Sequence, residues 1–324
     1  MDRKEEASLG ESRFLRFASL GSNQAALQLA RDFARGAVPF GLIGGASGWG
    51  KSHLLSAAAE AVGKDSNVQL VSSIELGKVQ NLTKADVLIV DDIHLAQNQQ
   101  KANQRLTMEL ERRVRAKRPT LCSGDTRNSG FLRRIIPVQR RWHYALVEVP
   151  SFEERLTILK KIAEAEQIQL GGETAGLICS LVIGDGRSLV GALTRLRVAV
   201  GTDLRAFPPI RIAGALCPLL PEDDSFDICA IVVDCVSQGL SLRLKRERPN
   251  ITQMVSVQIL RVQGRLPEPY VADYFGLTNG DAFRLQKEAE QSLNSDDRPL
   301  TVGYERSMSL ISRRLRETER HVGE

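Results

Sequence analysis

Residues 45–52, Gly45-Ala46-Ser47-Gly48-Trp49-Gly50-Lys51-Ser52, carry the types and spacing that phosphate chemistry needs. Their pattern, G-x-x-x-x-G-K-S, is that of a phosphate-binding loop. Glycines let successive backbone N–H groups turn inward around phosphate oxygens. A helix beginning at the end of the loop adds partial positive charge at its N-terminus. Lys51 would then reach the β/γ-phosphates, and the Ser52 hydroxyl would ligate Mg²⁺. Gly45, Gly48, Trp49, Gly50, Lys51, Ser52 and His53 are the nucleotide-contact candidates; Trp49 is expected to pack on a lid rather than touch the base.

A second chemical stretch lies about 40 residues on, at Asp86-Val87-Leu88-Ile89-Val90-Asp91-Asp92. Four apolar residues in a row suit a parallel strand buried on both faces. Carboxylates at its C-terminal end sit where open α/β sheets place ligand chemistry. Asp91 would hold Mg²⁺ through water, and Asp92 would polarise an attacking water. Asp92 is one methylene shorter than a glutamate, which suits a slow switch better than a motor. ATP and Mg²⁺ are therefore the expected ligands.

The elements that must position these groups follow from the pattern around them. Pro39–Ile43 reads as a strand feeding the loop, and His53–Ala61 as the helix leaving it. Asn23–Ala34 has helical spacing. Val68–Val71, Pro119–Asp125 and Tyr144–Val149 read as further strands, with helices at Gln104–Val114 and Phe131–Ile136 between them. Strands alternating with helices over residues 14–150 predict a parallel sheet with covering helices. Pro150-Ser151-Phe152 marks a boundary, with Ser151 as the cap of a helix over Glu153–Ala165. Helices near 173–182, 188–200 and 211–219 predict a small helical domain, ended by Pro218, Pro221 and Glu222-Asp223-Asp224. Residues 226–315 read as helical again, with a basic loop at Arg243–Pro249. Over 266–293, Val271, Ala272 and Phe275 precede a turn at Gly276, and Ala282 and Leu285 return to a core. This is a helix–turn–helix pattern. It offers Thr278, Asn279, Arg284 and Lys287 to a DNA groove, and the basic loop offers Arg246 and Arg248 to phosphates.

The chain has 324 residues, 42% apolar and 26% charged, as in an ordinary globular protein of two or three domains. No apolar run approaches the ~20 residues of a membrane span. The charged start, Met1-Asp2-Arg3-Lys4, is not expected to be a secretory leader. Cysteines 122, 179, 217, 229 and 235 are scattered, as expected of free thiols in a reducing cytoplasm. The net charge of +5 is concentrated: residues 101–150 hold 12 Lys/Arg against 4 Asp/Glu. An anionic partner is expected.

Taken together, these motifs resemble the bacterial DnaA replication initiators, a family of AAA+ ATPases. The likeness is colinear over residues 14–293. Gly48-Trp49-Gly50-Lys51-Ser52-His53-Leu54-Leu55 looks like that family's G-x-G-K-T-H-L-L, and Val90-Asp91-Asp92-Ile93-His94 like its I-D-D-I-Q. Ser123-Gly124-Asp125 falls on its sensor 1 segment, S-S-D, which implies a catalytic role for Asp125. Arg140 or Arg141, just before Trp142, falls near its arginine finger. Glu153–Leu159 resembles its lid helix, and Gly186–Leu193 places Arg187 on its sensor 2 arginine. Leu266-Pro267-Glu268 with Phe275-Gly276 resembles its DNA-binding domain. The resemblance implies an AAA+ phosphate-loop domain of parallel sheet with a helical lid, followed by an all-α helix–turn–helix domain. The boundaries it implies are a lead over 1–12, a nucleotide core over 13–150, a lid over 151–222, a DNA-binding domain over 223–315 and a tail over 316–324. It implies an ATP-dependent replication initiator that binds duplex DNA and self-assembles on it, or else a regulator docking on an initiator or a helicase loader. Three departures accompany it. The stretch between Ser72 and Ala85 has room for one short helix where the family has two. The base-reading D-H-T-T becomes Asn279-Gly280-Asp281-Ala282. The family's amino-terminal helicase-loading domain is expected to be missing ahead of Phe14.

Overall fold

The computed structural model describes residues 14–317 apart from 16, 63–65, 77, 80–81, 206, 218–226 and 296. The chain divides into two compact units, Met1–Thr157 and Ile158–Glu324.

The first unit is a three-layer α/β/α sandwich. Its elements run α1 (Gln24–Ala34), β1 (Phe40–Gly45), α2 (Lys51–Ala61), β2 (Val68–Ser72), β3 (Val87–Asp91), α3 (Gln100–Arg115), β4 (Thr120–Gly124), α4 (Ser129–Ile135) and β5 (His143–Val147). All strands are parallel, in the order β2-β3-β4-β1-β5. The strands are short and apolar because both faces of the sheet are covered. On one face Phe40, Leu42, Leu88, Val90 and Cys122 pack against Leu106 and Leu110 of α3, Leu132 of α4, and Trp142. On the other, Ile43, Ile89, Leu121 and Val147 pack against Leu27 and Phe33 of α1 and Leu54 and Leu55 of α2. Phe14 anchors the segment ahead of α1: it is buried in this second cluster with the Arg31 guanidinium 5.6 Å from its ring centroid.

The strand order decides what can meet. β4 lies between β1 and β3, so the loop after β1, the end of β4 and the carboxylates of β3 share one edge of the sheet. Register puts Gly44 of β1 opposite Gly124 of β4, and Val90 of β3 opposite Cys122.

Helix α5 (Phe152–Ala165) carries the division between the units, and its Glu154 carboxylate accepts a hydrogen bond from the Ser22 N–H at 2.9 Å within the first. The second unit otherwise comprises two-residue strands β6 (Gln169–Leu170) and β7 (Asp203–Leu204) and helices α6 (Gly172–Leu181), α7 (Gly186–Val200), α8 (Pro209–Leu216), α9 (Ile228–Gly239), α10 (Leu242–Glu247), α11 (Ile251–Gln258), α12 (Glu268–Tyr274), α13 (Asn279–Asn294) and α14 (Arg298–Glu317). A π-helical turn, Ile259–Gln263, extends α11. The basic stretch read as a loop is largely helix: Ser241 caps α10 by accepting from the Leu244 N–H, and Leu244 is buried beneath it. The cap and one apolar anchor outweigh the charge of the run.

The stretches expected as lid (151–222) and C-terminal domain (223–315) share contacts within the second unit, where α14 packs on α6 and α8 as well as on α9. Small residues permit the close approach. A Cβ at Gly214 of α8 would come within 2.2 Å of the Gly264 carbonyl oxygen, and one at Gly239 of α9 within 2.3 Å of Ser307 Oγ on α14. Among the described residues no helix is long and apolar enough to cross a membrane.

Candidate functional site

The loop between β1 and α2 is shaped by positions that favour glycine. Gly45, Gly48 and Gly50 have φ of +146°, +82° and +93°. A Cβ at Gly45 would stand 2.3 Å from the Val147 carbonyl oxygen, and one at Gly50 2.6 Å from the Phe17 ring. The tight bend is thus fixed by β5 behind it and by Phe17 beside it. No side chain caps α2, and its first turn carries no acid, so its leading amides face the loop as anion donors.

Lys51 begins α2 and is buried, with Nζ donating to the carbonyl oxygens of Gly45 at 3.0 Å and Ala46 at 2.8 Å. The ammonium therefore lies inside the loop it was expected to serve. Ser52 and His53 are exposed on the same turn. Trp49 is half-buried against the α1–α2 cluster of its own unit, in company with Phe17. That packing is what the structure gives for the indole that the sequence assigned to a lid.

Across the sheet edge, Ser123 of β4 joins the Asp91 carboxylate at the end of β3 to the backbone of Asp92. Its hydroxyl donates to Asp91 Oδ1 and accepts from the Asp92 N–H at 2.8 Å. Ser73 closes the other side: its N–H donates to the Asp91 carbonyl at 3.0 Å and its hydroxyl to the Asp92 carbonyl at 2.7 Å. Asp92 is held between them at φ +51°, a left-handed conformation that persists only where surroundings over-determine it. Its side chain is 35% exposed, with Oδ1 3.8 Å from His94 Nδ1. His94 Nδ1 also accepts from the Asp125 N–H at 3.2 Å, a contact between the segments that follow β3 and β4. From the sequence neither serine has a role: Ser123 appears there only within the Ser123-Gly124-Asp125 segment, and Ser73 is a hydroxyl just past the end of β2.

Asp125 is buried, and its carboxylate is already engaged. Arg127 forks it, Nε at 3.1 and 3.0 Å and Nη2 at 2.6 Å, and the Arg127 N–H donates to it at 2.9 Å. These donors hold the Asp125 carboxyl down at about 2 despite burial. It is Ser123, two residues earlier, whose side chain reaches the Asp91 carboxylate.

The two candidate arginines before Trp142 differ. Both are exposed, on a short 3₁₀ turn, Gln139–Arg141. Arg141 Nη1 donates to the Val114 carbonyl at the end of α3, 3.3 Å away, whereas no such tether holds Arg140 among the described contacts. In the second unit Arg187 sits on the first turn of α7, exposed, with Nε 3.8 Å from the Asp185 carboxylate.

Helices α12 and α13 meet at a turn where Gly276 takes φ +62°. Thr278 is the N-cap of α13: its hydroxyl accepts from the Asp281 N–H at 3.1 Å and donates to Asp281 Oδ2 at 2.7 Å. Asn279 is exposed beside it. The cations offered here are shared with carboxylates. Arg284 lies 2.8 Å from Asp281 and 3.8 Å from Glu288, Lys287 2.7 Å from Glu290, and Arg248 2.8 Å from Asp297. Arg246 is exposed on α10.

With this geometry in hand, comparisons with known proteins are informative. No protein-family model matches the chain. It is 24% identical over 315 residues to the chromosomal replication initiator protein DnaA of Neisseria gonorrhoeae, an alignment covering 89% of this chain and 61% of that protein. The chain thus spans about three fifths of the length of such relatives. Its fold is similar to domain III of the Thermotoga maritima replication initiation protein DnaA, with a TM-score of 0.53, 21% identity and coverage of 64% of this chain and 94% of that one. It is also similar to a replication initiator DnaA bound to AMPPCP and single-stranded DNA, with a TM-score of 0.50, 15% identity and coverage of 92% and 97%.

Proposed function

We propose that this chain, a divergent DnaA-like protein, is a nucleotide-dependent DNA-binding switch of the replication-initiator kind, binding Mg·ATP, hydrolysing it slowly and assembling with copies of itself on DNA. One observation carries the reading: the strand order sets the Gly45–Ser52 loop and the Asp91–Asp92–Ser123 cluster on one edge of the sheet. The loop fits a polyphosphate, because its glycines are bent at positive φ and α2 presents uncapped amides to it. The relative carrying AMPPCP and single-stranded DNA supports the same ligand classes here.

The roles divide as follows. The loop amides cradle phosphate oxygens, and Lys51 exchanges the Gly45 and Ala46 carbonyls for the β/γ-phosphates. Ser52 and Asp91 would hold Mg²⁺, which supplies charge neutralisation at the phosphate oxygens. Such an ion needs only one or two protein side chains, the phosphates and water completing its shell. Asp92, fixed by Ser73 and Ser123, orients a water; Ser123 and His94 position it. Arg140, the less tethered of the pair, is the arginine offered to a neighbouring subunit, and Arg187 the sensor of the helical unit. Region 243–293 contributes to DNA contact with weak sequence preference.

The first test is calorimetry of Mg·ATP with the parent and Lys51→Ala. Loss of nucleotide binding by at least about a hundredfold is expected, the scale of about 2.7 kcal/mol per hundredfold. Equal affinity in the two proteins rejects the reading.

A second reading is a nucleotide-binding regulator that docks on an initiator or a helicase loader. The carboxylates shadowing Arg284, Lys287 and Arg248 favour it. Single-turnover ATP assays with duplex DNA separate the two: DNA-stimulated hydrolysis supports the switch, and DNA-independent retention of ATP supports the regulator.

A further inference from the structure

The distribution of charge singles out a surface on the first unit. Between Arg112 and Arg141 the chain has ten Lys/Arg and one acid, Asp125. That acid is buried and consumed by Arg127. Arg113 is fully buried, Arg112 lies 2.7 Å from Glu109, and Arg115 lies 3.5 Å from Glu111. The remaining cations include Lys117, Arg133, Arg134, Arg140 and Arg141, all exposed.

Two contacts make these residues one surface rather than a scatter along the sequence. Arg141 donates to the Val114 carbonyl at the end of α3, and the Gln139 side chain donates to the Arg133 carbonyl at the end of α4. The 3₁₀ turn Gln139–Arg141 therefore bridges the C-terminal ends of α3 and α4. Helix dipoles favour cations at such ends, but each supplies only about half a negative charge. Two of them offset about one of the five cations. The surface therefore keeps most of its positive charge available to an anion.

By contrast α13, the helix that sequence reading turned toward DNA, carries Arg284 and Lys287 against Asp281, Glu288 and Glu290. Phosphate neutralisation supplies most salt-dependent affinity for nucleic acid, and α13 has little to give. The α3–α4 surface is built mainly of arginine, whose planar fork matches phosphate oxygens in pairs. A protein partner would need an apolar, aromatic centre; this surface offers Val138.

We propose that the ridge formed by Lys117, Arg133, Arg134 and Arg141 is a DNA-backbone binding surface, that it carries more of the electrostatic affinity than α13, and that Arg140 beside it is left to the neighbouring subunit. The proposal rests on the reading of the chain as DNA-binding, and assigns the contact to a surface that reading did not include. Binding there is independent of base sequence, because phosphates carry no sequence information.

The test uses the full chain with Mg·ATP and fluorescein-labelled random-sequence duplex and single-stranded DNA, followed by anisotropy across a salt series. The variants are Arg133→Ala with Arg134→Ala, and Arg284→Ala with Lys287→Ala. The ridge pair is expected to make the log–log salt slope less negative by about 1.8 units on duplex or about 1.4 on single strands, while the α13 pair leaves it near the parent. Calorimetry of Mg·ATP on the ridge pair is expected to match the parent, which ties the loss to DNA rather than to folding. A parental slope in the ridge pair, or the larger loss in the α13 pair, overturns the assignment while leaving DNA binding intact. A parent that binds no DNA at low salt overturns the ridge and the DNA half of the function; the Lys51→Ala comparison then decides the nucleotide half separately. Capture of polyglutamate with no capture of DNA would reassign the ridge to an acidic protein.

Discussion

Arg127 is 78% exposed, yet it governs the buried carboxylate at the end of β4. It folds back over Asp125 only two residues away, and its Nε, its Nη2 and its backbone N–H keep that group ionised. Because the folded-state value of Asp125, about 2, lies below the ordinary aspartate value near 3.9, the ionised pair stabilises the fold at neutral pH. That contribution is complete above about 4 and is lost as pH falls through about 2. Arg127→Ala should therefore melt below the parent at pH 7, and the gap should shrink as pH falls from about 4 to about 2. Thermal melts in a pH series check it; a gap that stays constant through that window would show that the arginine acts by packing alone. Residues at this scale were unevenly legible. The glycine-bent shape of the 45–52 loop and the place of Asp91-Asp92 at the end of β3 could be read outright, because backbone shape and charge at fixed spacing are written in the residue types. Ser73, Ser123 and Arg127 could not, because their roles depend on which strands are neighbours and on a side chain doubling back.

Helix α3 shows the same division one level up. Its apolar positions over 104–114 in the sequence are Leu106, Met108, Leu110 and Val114; Leu106, Leu110 and Val114 are buried against the sheet, whereas Met108 is exposed, because it lies off their face of the helix. Arg113 beside Val114 reads as one more solvated cation and is instead fully buried. Its guanidinium donates to Thr120 Oγ1 at 2.9 Å and to the carbonyls of Ala85, Asp86 and Pro119 at 3.0, 2.8 and 2.9 Å. One side chain thus ties α3 to the starts of β3 and β4, the strands that carry the candidate site at their far ends. Burial lowers its pKa to about 10, still far above neutral, so it remains charged. Arg113→Met keeps the length and removes the donors, leaving buried carbonyls without partners. At about 1–3 kcal/mol per orphaned group, partly relieved by water entry, the loss should be about 3 kcal/mol or more. Urea unfolding of the first unit reads it directly, and a change below about 1 kcal/mol would mean that α3 holds its place through the apolar stripe alone. Helix α10 is the converse case: its Ser241 cap and buried Leu244 were in the sequence, but a dense basic run masked them.

At the scale of the whole molecule, the sequence marks a boundary near residue 222, where prolines and acids interrupt the helices. The structure joins the helices on either side into one compact unit, with the break inside α5. Composition registers a break in helical pattern but not what packs across it, and here α14 returns from the end of the chain to lie on α6, α8 and α9. Arg316 of α14 reaches Glu173 of α6 at 3.2 Å, although an exposed pair of that kind adds little. The buried faces matter more: Leu300, Ile311 and Leu315 of α14 and Ile210, Ile212 and Leu216 of α8 are all within the core. Cutting at 222 would expose these faces at about 25 cal/mol per Å² of apolar surface. A fragment of residues 223–324 should therefore melt broadly and bind a hydrophobic dye, whereas residues 158–324 should melt in one cooperative transition. Circular dichroism of the two fragments decides this. A sharp melt of 223–324 at the same temperature as 158–324 would make the C-terminal helices an autonomous domain. The cooperative outcome would mean that whatever the α6–α8 helices sense is felt mechanically by α12 and α13, because both belong to one folding unit.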